Sequence, residues 1–208
     1  MTLTSALGLS LSKTWPTPLT LAGAQATLRP LALEHHDGLC EAVRDGALWQ
    51  LWYTSIPAPE RMATEIERRL DLQARGSMLP FTVFDANSRI VGMTTYMNID
   101  ASNKRVEIGS TWTASSAQRS PLNTECKAML LAHAFDSLGC IAVEFRTHRL
   151  NTQSRHAIER LGAQLDGVLR SHVRSADGTL RDTAVYSITA DEWPAVKSHL
   201  AWQLAKPR

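Results

Sequence analysis

The sequence predicts an α+β fold built around one mixed sheet that is flanked by helices. Segments with strand and helix patterns follow one another as two strands, two helices, three strands, a helix, a strand, a helix, two strands and a helix, an order typical of this class. The 208 residues suit one large domain, and no repeat, low-complexity tract or linker divides them. We therefore expect a single domain over residues 19–208, preceded by an N-terminal arm over residues 1–18.

The first half of the chain carries the patterns of four strands and two helices. Pro16 and Pro18 prevent a continuous helix before the domain, so the arm is expected to be irregular. Apolar residues recur three and four positions apart in two later segments, with Gly46 and Gly76 as stop signals. The expected elements are strands 19–21 and 26–31, helices 34–44 and 60–76, and strands 81–84 and 89–98.

The second half continues the sheet. Residues 105–113 alternate with the period of two that is expected of a strand. Residues 123–138 have one apolar stripe and are followed by Gly139, as expected of a helix. Asp177-Gly178 is a strong hairpin-turn signal. The remaining expected elements are strand 141–147, helix 151–161, strands 164–174 and 180–188, and helix 191–204.

Composition excludes several classes of protein. Hydrophobic residues make up 44% of the chain and charged residues 20%, which excludes intrinsic disorder. The net charge of +2 is too small to indicate a nucleic-acid or membrane partner. The three cysteines have no CxxC spacing and predict neither a disulfide framework nor a metal site. Because no apolar run approaches about 18 residues and residues 1–12 lack a basic start, we expect a cytoplasmic protein.

Two common catalytic patterns are missing from the sequence. No serine or cysteine lies in a GxSxG-like elbow, and the seven histidines show no HExxH spacing. Hydrolases and zinc enzymes therefore lose support, and no single histidine is assigned a leading role.

The segment that joins strand 105–113 to helix 123–138 is the most informative. Backbone N–H groups in a turn that feeds a helix N-terminus converge on one point, and the helix dipole adds partial positive charge there. Residues 117–125 would suit a diphosphate on this ground. The same residues also fit an ordinary helix start, capped by Asn123 or by Ser120 followed by Pro121.

The sequence resembles the GNAT superfamily of acetyl-CoA-dependent N-acetyltransferases over about residues 26–190, and within it the ribosomal-protein N-terminal acetyltransferases and related small-amine acetylases. The resemblance rests on three segments in the family's order and spacing: 105–112, 117–127 and 151–163. It implies a mostly antiparallel sheet with a splayed parallel pair, strands 105–113 and 141–147. The pantetheine arm of acetyl-CoA would lie in the gap between these two strands.

The same resemblance implies a set of cofactor-binding residues. The family's pyrophosphate loop has small residues at the positions of Pro121 and Asn123, and Pro121 carries no N–H, so this loop departs from the pattern. The residues expected to contact the cofactor are Trp112, Thr113, Ala114, Gln118, Arg119, Ser120, Leu122, Asn123, Thr124, Asn151 and Ser154.

Acetyl transfer also requires proton movement. A lysine-like amine has a pKa of about 10.4 and must lose a proton before it attacks a thioester. Glu107, on the strand face opposite Val106 and Ile108, is the candidate base, the alternative being an exposed or ion-paired strand glutamate. Many family members have a tyrosine acid where this chain has Ile158, so Ser154 or a water is expected to protonate the thiolate. Alignment and polarisation of the carbonyl would supply much of the rate.

The acceptor is left open by the sequence. Trp49, Trp52 and Tyr53 either pack on the core or form a substrate wall. A protein N-terminus, a polyamine, an amino acid and an aminoglycoside all present the same amine. Two other functions also remain, a catalytically inactive acyl-CoA-binding or regulatory protein and a protein-interaction module, and the sequence is compatible with a homodimer.

Overall fold

One sheet organises the part of the chain that the structure, a computed structural model, describes: residues 15–175 and 177–206. The sheet has the strand order β1-β2-β3-β4-β5-β6-β8-β7. The strands are β1 (Leu21–Ala22), β2 (Ala26–Pro30), β3 (Met78–Asp85), β4 (Ile90–Asp100), β5 (Arg105–Thr113), β6 (Ala142–His148), β7 (Gln164–Arg174) and β8 (Leu180–Thr189). The helices are α1 (His36–Arg44), α2 (Met62–Ala74), α3 (Leu122–Ala132), α4 (Thr152–Glu159) and α5 (Trp193–Ala205).

The strands β5 and β6 are the parallel neighbours, and every other neighbouring pair in this sheet is antiparallel. They are in register only at Arg105–Ala142, Val106–Val143 and Glu107–Glu144. Beyond Glu107 the strand β5 continues to Thr113 without a partner in β6. The other edge of β6 pairs with β8 from Ala142 to His148. The predicted fold class, a mixed and mostly antiparallel sheet with a splayed parallel pair, is confirmed.

Helices cover both faces of the sheet. Thr95 and Tyr96 are consecutive in β4 and therefore point to opposite faces. The guanidinium of Arg69 in α2 donates to Thr95 Oγ1 at 2.7 Å, whereas the Tyr96 hydroxyl donates to the Leu130 carbonyl of α3 at 2.5 Å. The helix α2 thus lies on one face and α3 on the other.

Two irregularities in the β4–β5 pairing lie beside the splayed gap. The partners shift between Met93–Trp112 and Thr95–Gly109, so β5 has one residue more than β4 over this interval. Ser110 in this bulge has a φ of 47°. A bulge leaves its extra residue unpaired and redirects the neighbouring side chains. The second shift lies between Met97 and Asp100 of β4.

The expected elements are all present, with changes at their ends. The helix expected over 123–138 is α3 followed by a wider π-helical turn, His133–Ser137. The alternative with Asn123 as N-cap is wrong, because α3 begins at Leu122, whose N–H donates to Ser120 Oγ at 3.3 Å. Residues 1–14 of the expected arm lie outside the described residues, and Trp15 packs against the core.

Candidate active site

Glu107 lies in the last β5–β6 pair before the two strands separate. Val106 and Ile108 enter the core, and Glu107 points to the opposite face, where it is only 5% exposed. Its Oε2 accepts a hydrogen bond from Asn98 Nδ2 at 2.6 Å, and Arg146 Nε lies 3.5 Å from the same atom. The carboxylate is therefore held at the closed end of the gap.

The space for this carboxylate depends on Gly109. A Cβ at Gly109 would lie 2.8 Å from Glu107 Oε1 and 2.8 Å from Met97 Sδ, distances at which side chains must move. Burial raises the pKa of Glu107, against the opposing effects of the Asn98 hydrogen bond and the Arg146 charge. A carboxylate with a raised pKa is a better proton acceptor near neutral pH. The environment of Glu107 thus suits a general base.

A row of polar side chains on β6 continues the site. Glu144, Arg146 and His148 alternate along the strand and share the face of Glu107. Glu144 accepts from Arg105 Nη2 at 2.5 Å and from Arg146 Nη2 at 2.9 Å. These two arginines outweigh the effect of burial and lower the pKa of Glu144. The ion pairs orient Arg146 toward Glu107.

His148 ends this row and is nearly buried. Its Nδ1 accepts from the Leu150 N–H at 3.0 Å, which places the proton of the neutral ring on Nε2. Burial and the charges of Arg181 and Arg149 lower the pKa of His148. The sequence assigned no role to this histidine, although the alternation along strand 141–147 would have placed it with Glu144 and Arg146.

The aromatic loop lies partly over this row. The Trp52 ring makes edge contacts with His148 at 5.3 Å and with Tyr53 at 5.6 Å between centroids, and Trp52 is 67% exposed. Trp49, by contrast, packs against the core. The three rings were treated as one unit in the sequence, and the structure separates them into a pair beside the polar row and one packing residue. Their part in substrate binding stays a prediction.

Arg181 joins the same face from β8. Thr183 is the register partner of His148, and Arg181 lies two residues before Thr183 in β8, on the same face. The Arg181 Nε is buried and has no hydrogen-bond partner, and among residues 15–175 and 177–206 no carboxylate oxygen lies within the 4.0 Å of an ion pair. Burial lowers its pKa and the charge of Glu107 raises it. Sequence reasoning missed Arg181, because its position depends on the register between β8 and β6.

The loop before α3 forms the far end of the gap. Arg119 has a φ of 57°, the left-handed conformation that a glycine adopts most readily, and Pro121 precedes the first helical residue. The first N–H groups of a helix have no acceptor within the helix. The N–H of Leu122 is taken by Ser120 Oγ, so those of Asn123 and Thr124 remain for a ligand at the positive end of α3.

Arg160 adds a positive charge at this helix end. It follows α4, is exposed, and donates from Nη2 to Thr124 Oγ1 at 3.0 Å. Arg160 belongs to a segment on which the family resemblance rests, but its distance from α3 along the sequence does not predict a contact with that helix. The contact depends on the packing of α4 beside α3, so the sequence carried no signal for it.

The three residues at the end of β5 that were predicted to contact the cofactor, Trp112, Thr113 and Ala114, differ in which of their polar groups already have partners. Ala114 has both backbone groups engaged, its N–H with the Val91 carbonyl at 2.8 Å and its carbonyl with the Ala117 N–H at 2.9 Å. The Ala114 N–H is therefore not free for the cofactor arm, and a contact through the second lone pair of its carbonyl stays a prediction. Trp112 pairs with Met93 of β4, and its indole Nε1 is buried without a partner. The Thr113 carbonyl accepts from Gln118 Nε2 at 2.8 Å, which ties the loop to the strand.

Asn151 and Ser154 come together at the start of α4. Asn151 is the N-cap residue, and its Oδ1 accepts from the Ser154 N–H at 3.0 Å. This leaves the Asn151 Nδ2 and the Ser154 hydroxyl for other partners. Ile158, at the position of the family's tyrosine, belongs to the core cluster.

The chain was then compared with known proteins. Residues 25–164 match the family model described as an acetyltransferase (GNAT) domain. The chain belongs to the GNAT family of acetyltransferases. The predicted resemblance and the enzyme class are thereby confirmed.

Three similar proteins illustrate the match. The "Uncharacterized N-acetyltransferase p20" of Bacillus licheniformis is 26% identical over 184 residues, which cover 84% of this chain and 98% of that protein. The GCN5-related N-acetyltransferase of Brucella melitensis is 30% identical, with a TM-score of 0.82 over 91% of this chain and 87% of its own. RimJ of Mycobacterium smegmatis in complex with CoA-disulfide shares the fold, with a TM-score of 0.76 at 24% identity over 89% of this chain and 95% of its own.

None of the helices within residues 15–175 and 177–206 has the length and apolar character needed to span a bilayer. In the same residues no group of three or more histidine, cysteine or acidic side chains is arranged to hold a metal ion.

Proposed function

We propose that this GNAT protein transfers an acetyl group from acetyl-CoA to a primary amine by direct attack in a ternary complex. The observation that carries the proposal is the buried carboxylate of Glu107 at the point where β5 and β6 separate, with a bulge in β5 beside it. A base, a gap for a thioester and a helix N-terminus for phosphates then lie along one strand and the loop that follows it.

The residues of the gap suit acetyl-CoA. The free N–H groups of Asn123 and Thr124 at the start of α3 and the guanidiniums of Arg119 and Arg160 would receive its phosphates. The left-handed conformation of Arg119 turns the chain toward the start of α3. Asn151 Nδ2, which the capping hydrogen bond leaves free, would hold the pantetheine arm.

Glu107 would accept the proton of the attacking amine, directly or through a water. Arg146, 3.5 Å from this carboxylate, is a positive neighbour that disfavours an ammonium and so favours the neutral amine. An unpaired N–H of the β5 bulge would polarise the acetyl carbonyl. The Ser154 hydroxyl or a water would protonate the leaving thiolate, since Ile158 offers no phenol.

Calorimetry with acetyl-CoA tests the cofactor. A dissociation constant weaker than the millimolar range, about 4 kcal/mol of binding, would remove the assignment. A hundredfold excess over the dissociation constant should stabilise the fold by about 2.7 kcal/mol. Thiol release with a panel of amines then tests turnover, and binding without turnover would identify the alternative, an inactive acyl-CoA-binding protein.

The cellular setting is also a proposal. Family membership and the sequence arguments support a cytoplasmic enzyme that takes a small amine or a protein N-terminus as acceptor. A homodimer is supported by the edge strand β7, which ends the sheet and exposes Leu165. Light scattering at micromolar concentration would test it, and a monomer mass would rule the dimer out.

A further inference from the structure

We infer that the amine acceptor carries a carboxylate, and that the Arg181 guanidinium binds this carboxylate while Glu107 takes the proton of the amine. The inference rests on the proposed function and adds the chemical class of the acceptor, which is an amino acid. Nothing in the family match assigns Arg181 a role.

Arg181 has no hydrogen-bond partner at Nε among the described residues, and it lies on the sheet face of the proposed base. It shares the sheet face of Glu144, Arg146 and His148, because the register of β8 with β6 places Thr183 opposite His148. In the part of the chain that the structure describes, no carboxylate oxygen, including those of Glu107, lies within ion-pair distance of its guanidinium. Its Nε is buried without a hydrogen bond. A buried donor of this kind is costly unless a ligand satisfies it.

Within the group formed by Arg105, Arg146, Arg181, Glu107 and Glu144, every charge except that of Arg181 is already paired. Glu144 binds Arg105 and Arg146, and Glu107 binds Asn98 and approaches Arg146. Three arginines face two glutamates in this cluster, which leaves one positive charge in excess, on Arg181. A planar guanidinium binds a carboxylate through two parallel hydrogen bonds, so the excess charge matches a carboxylate in kind and geometry.

The possible acceptors all present an amine, but they differ in the other charges that they carry. A polyamine or an aminoglycoside brings further positive charges, which the surplus arginine repels. A protein N-terminus has an amide where an amino acid has its carboxylate, and it would leave Arg181 unpaired. An amino acid pairs both ends, with its amine at Glu107 and its carboxylate at Arg181.

The surroundings of Arg181 also indicate the acceptor's side chain. Val173 is the register partner of Arg181 on β7, and Leu169 is that of Thr183. Both are exposed on this face, at 42% and 41%, and the exposed Trp52 ring lies against His148. Apolar and aromatic groups around a few polar contacts are typical of small-molecule sites. An amino acid with an apolar side chain therefore fits best.

The experiment compares matched acceptors with the full chain and acetyl-CoA. L-phenylalanine, L-leucine and the corresponding amino amides share their side chains, and only the first two have a carboxylate. Because the amide lowers the pKa of the neighbouring amine, each rate is divided by the concentration of neutral amine at the assay pH before the pairs are compared. Initial rates of thiol release, with product mass as confirmation, give kcat/KM for each pair. We expect the wild type to prefer the carboxylates by about 10- to 100-fold, the range expected of a charged hydrogen bond.

Variants assign the preference to the residue. Arg181→Met should reduce the carboxylate-to-amide ratio toward one, mainly through KM, whereas Arg181→Lys should retain part of it. Arg174→Met is the matched control, because it removes a positive charge from the same hairpin at a position one residue along β7 from Val173, and so on the other face. It should keep the wild-type ratio.

The outcomes separate this inference from the proposed function. Equal kcat/KM for amino acids and amides in the wild type overturns the inference and leaves the acetyltransferase intact. An unchanged ratio in Arg181→Met, with the protein still folded by circular dichroism, also overturns it. Failure of every amine in the panel despite acetyl-CoA binding overturns both.

Discussion

Replacing Glu107 by glutamine should slow acetyl transfer without weakening the fold. Glutamine keeps the shape of the side chain and can still accept the Asn98 hydrogen bond through its carbonyl oxygen. It cannot take a proton from the amine. General-base loss lowers rates by about 10² to 10⁴, and we expect kcat/KM to fall within this range at pH 7.

The direction of the stability change follows from the pKa of Glu107. Burial raises that pKa above its ordinary 4.5, so the folded protein binds this proton more tightly than the unfolded chain does. The stabilisation is complete below 4.5 and is lost as the pH rises through the raised pKa. At pH 7 the wild type must keep a negatively charged carboxylate buried, and the neutral glutamine removes the free-energy cost of burying that charge. The melting temperature of the variant at pH 7 should therefore equal or exceed that of the wild type.

The assay is thiol release at several pH values with saturating acetyl-CoA and an amine whose pKa is near 10. Wild-type kcat/KM should rise above pH 4.5 as Glu107 loses its proton. The deficit of Glu107→Gln should shrink toward pH 10, because the acceptor then loses its proton in solution. A rate within a factor of two of the wild type at pH 7, or a deficit that is constant with pH, would refute the base assignment.

Glu144→Gln is the matched control for this variant. It removes a neighbouring carboxylate from the same face but breaks the ion pairs with Arg105 and Arg146. It should lower the melting temperature and affect the rate much less than Glu107→Gln does. The opposite pattern of stability and rate would place the base at Glu144.

Three further predictions concern other parts of the site. Arg160→Ala should weaken acetyl-CoA binding about tenfold in calorimetry, since it removes the positive charge beside α3, and should leave the acceptor KM unchanged. An acetyl-CoA affinity equal to that of the wild type would exclude Arg160 from the phosphate site. Trp52→Ala should raise the acceptor KM at little cost in melting temperature, because the ring is 67% exposed. Trp49→Ala should lower the free energy of unfolding by about 3 kcal/mol, because this ring packs against the core. An unchanged acceptor KM in both variants would place the acceptor elsewhere. Lys127→Met should stabilise the protein at pH 7 by about 3 kcal/mol in denaturant titrations, because burial lowers the pKa of Lys127 from 10.5 to about 8. Wild-type stability should also rise between pH 8 and 10.5, where the unfolded chain holds this proton and the folded protein does not, and the variant should lack that rise. The Thr94 and Thr111 hydroxyls that now accept from Lys127 lie 2.8 Å apart and would satisfy each other in the variant.

The order of strands and helices was predictable from the sequence because it depends on local patterns. The period of two over Arg105–Thr113 matches β5 residue for residue, and Asp177-Gly178 marks the turn between β7 and β8. The helix start at Leu122 was missed by one residue, since a serine hydroxyl and a proline compete for the same capping role. Where neighbouring residues decide the conformation, a single sequence suffices.

The candidate base could also be found early. Alternation separates Glu107 from Val106 and Ile108, and a carboxylate on the polar face of a central strand is uncommon enough to indicate chemistry. Its raised pKa could not be predicted, because it depends on how deeply the folded sheet buries the carboxylate, against the hydrogen bond that Asn98 donates from the neighbouring strand.

The fold class, the family resemblance and the candidate base could be predicted because they depend on residue types and on their order along the chain. Which side chains meet depends on the folded sheet and its helices. The register of β8 with β6 brings Arg181 to the face of Glu107, and the packing of α4 beside α3 brings Arg160 to Thr124. The fold also separates Trp49 from Trp52, although they are only three positions apart in the chain. Register and packing are set by the buried surface of the whole domain, and no local spacing contains them.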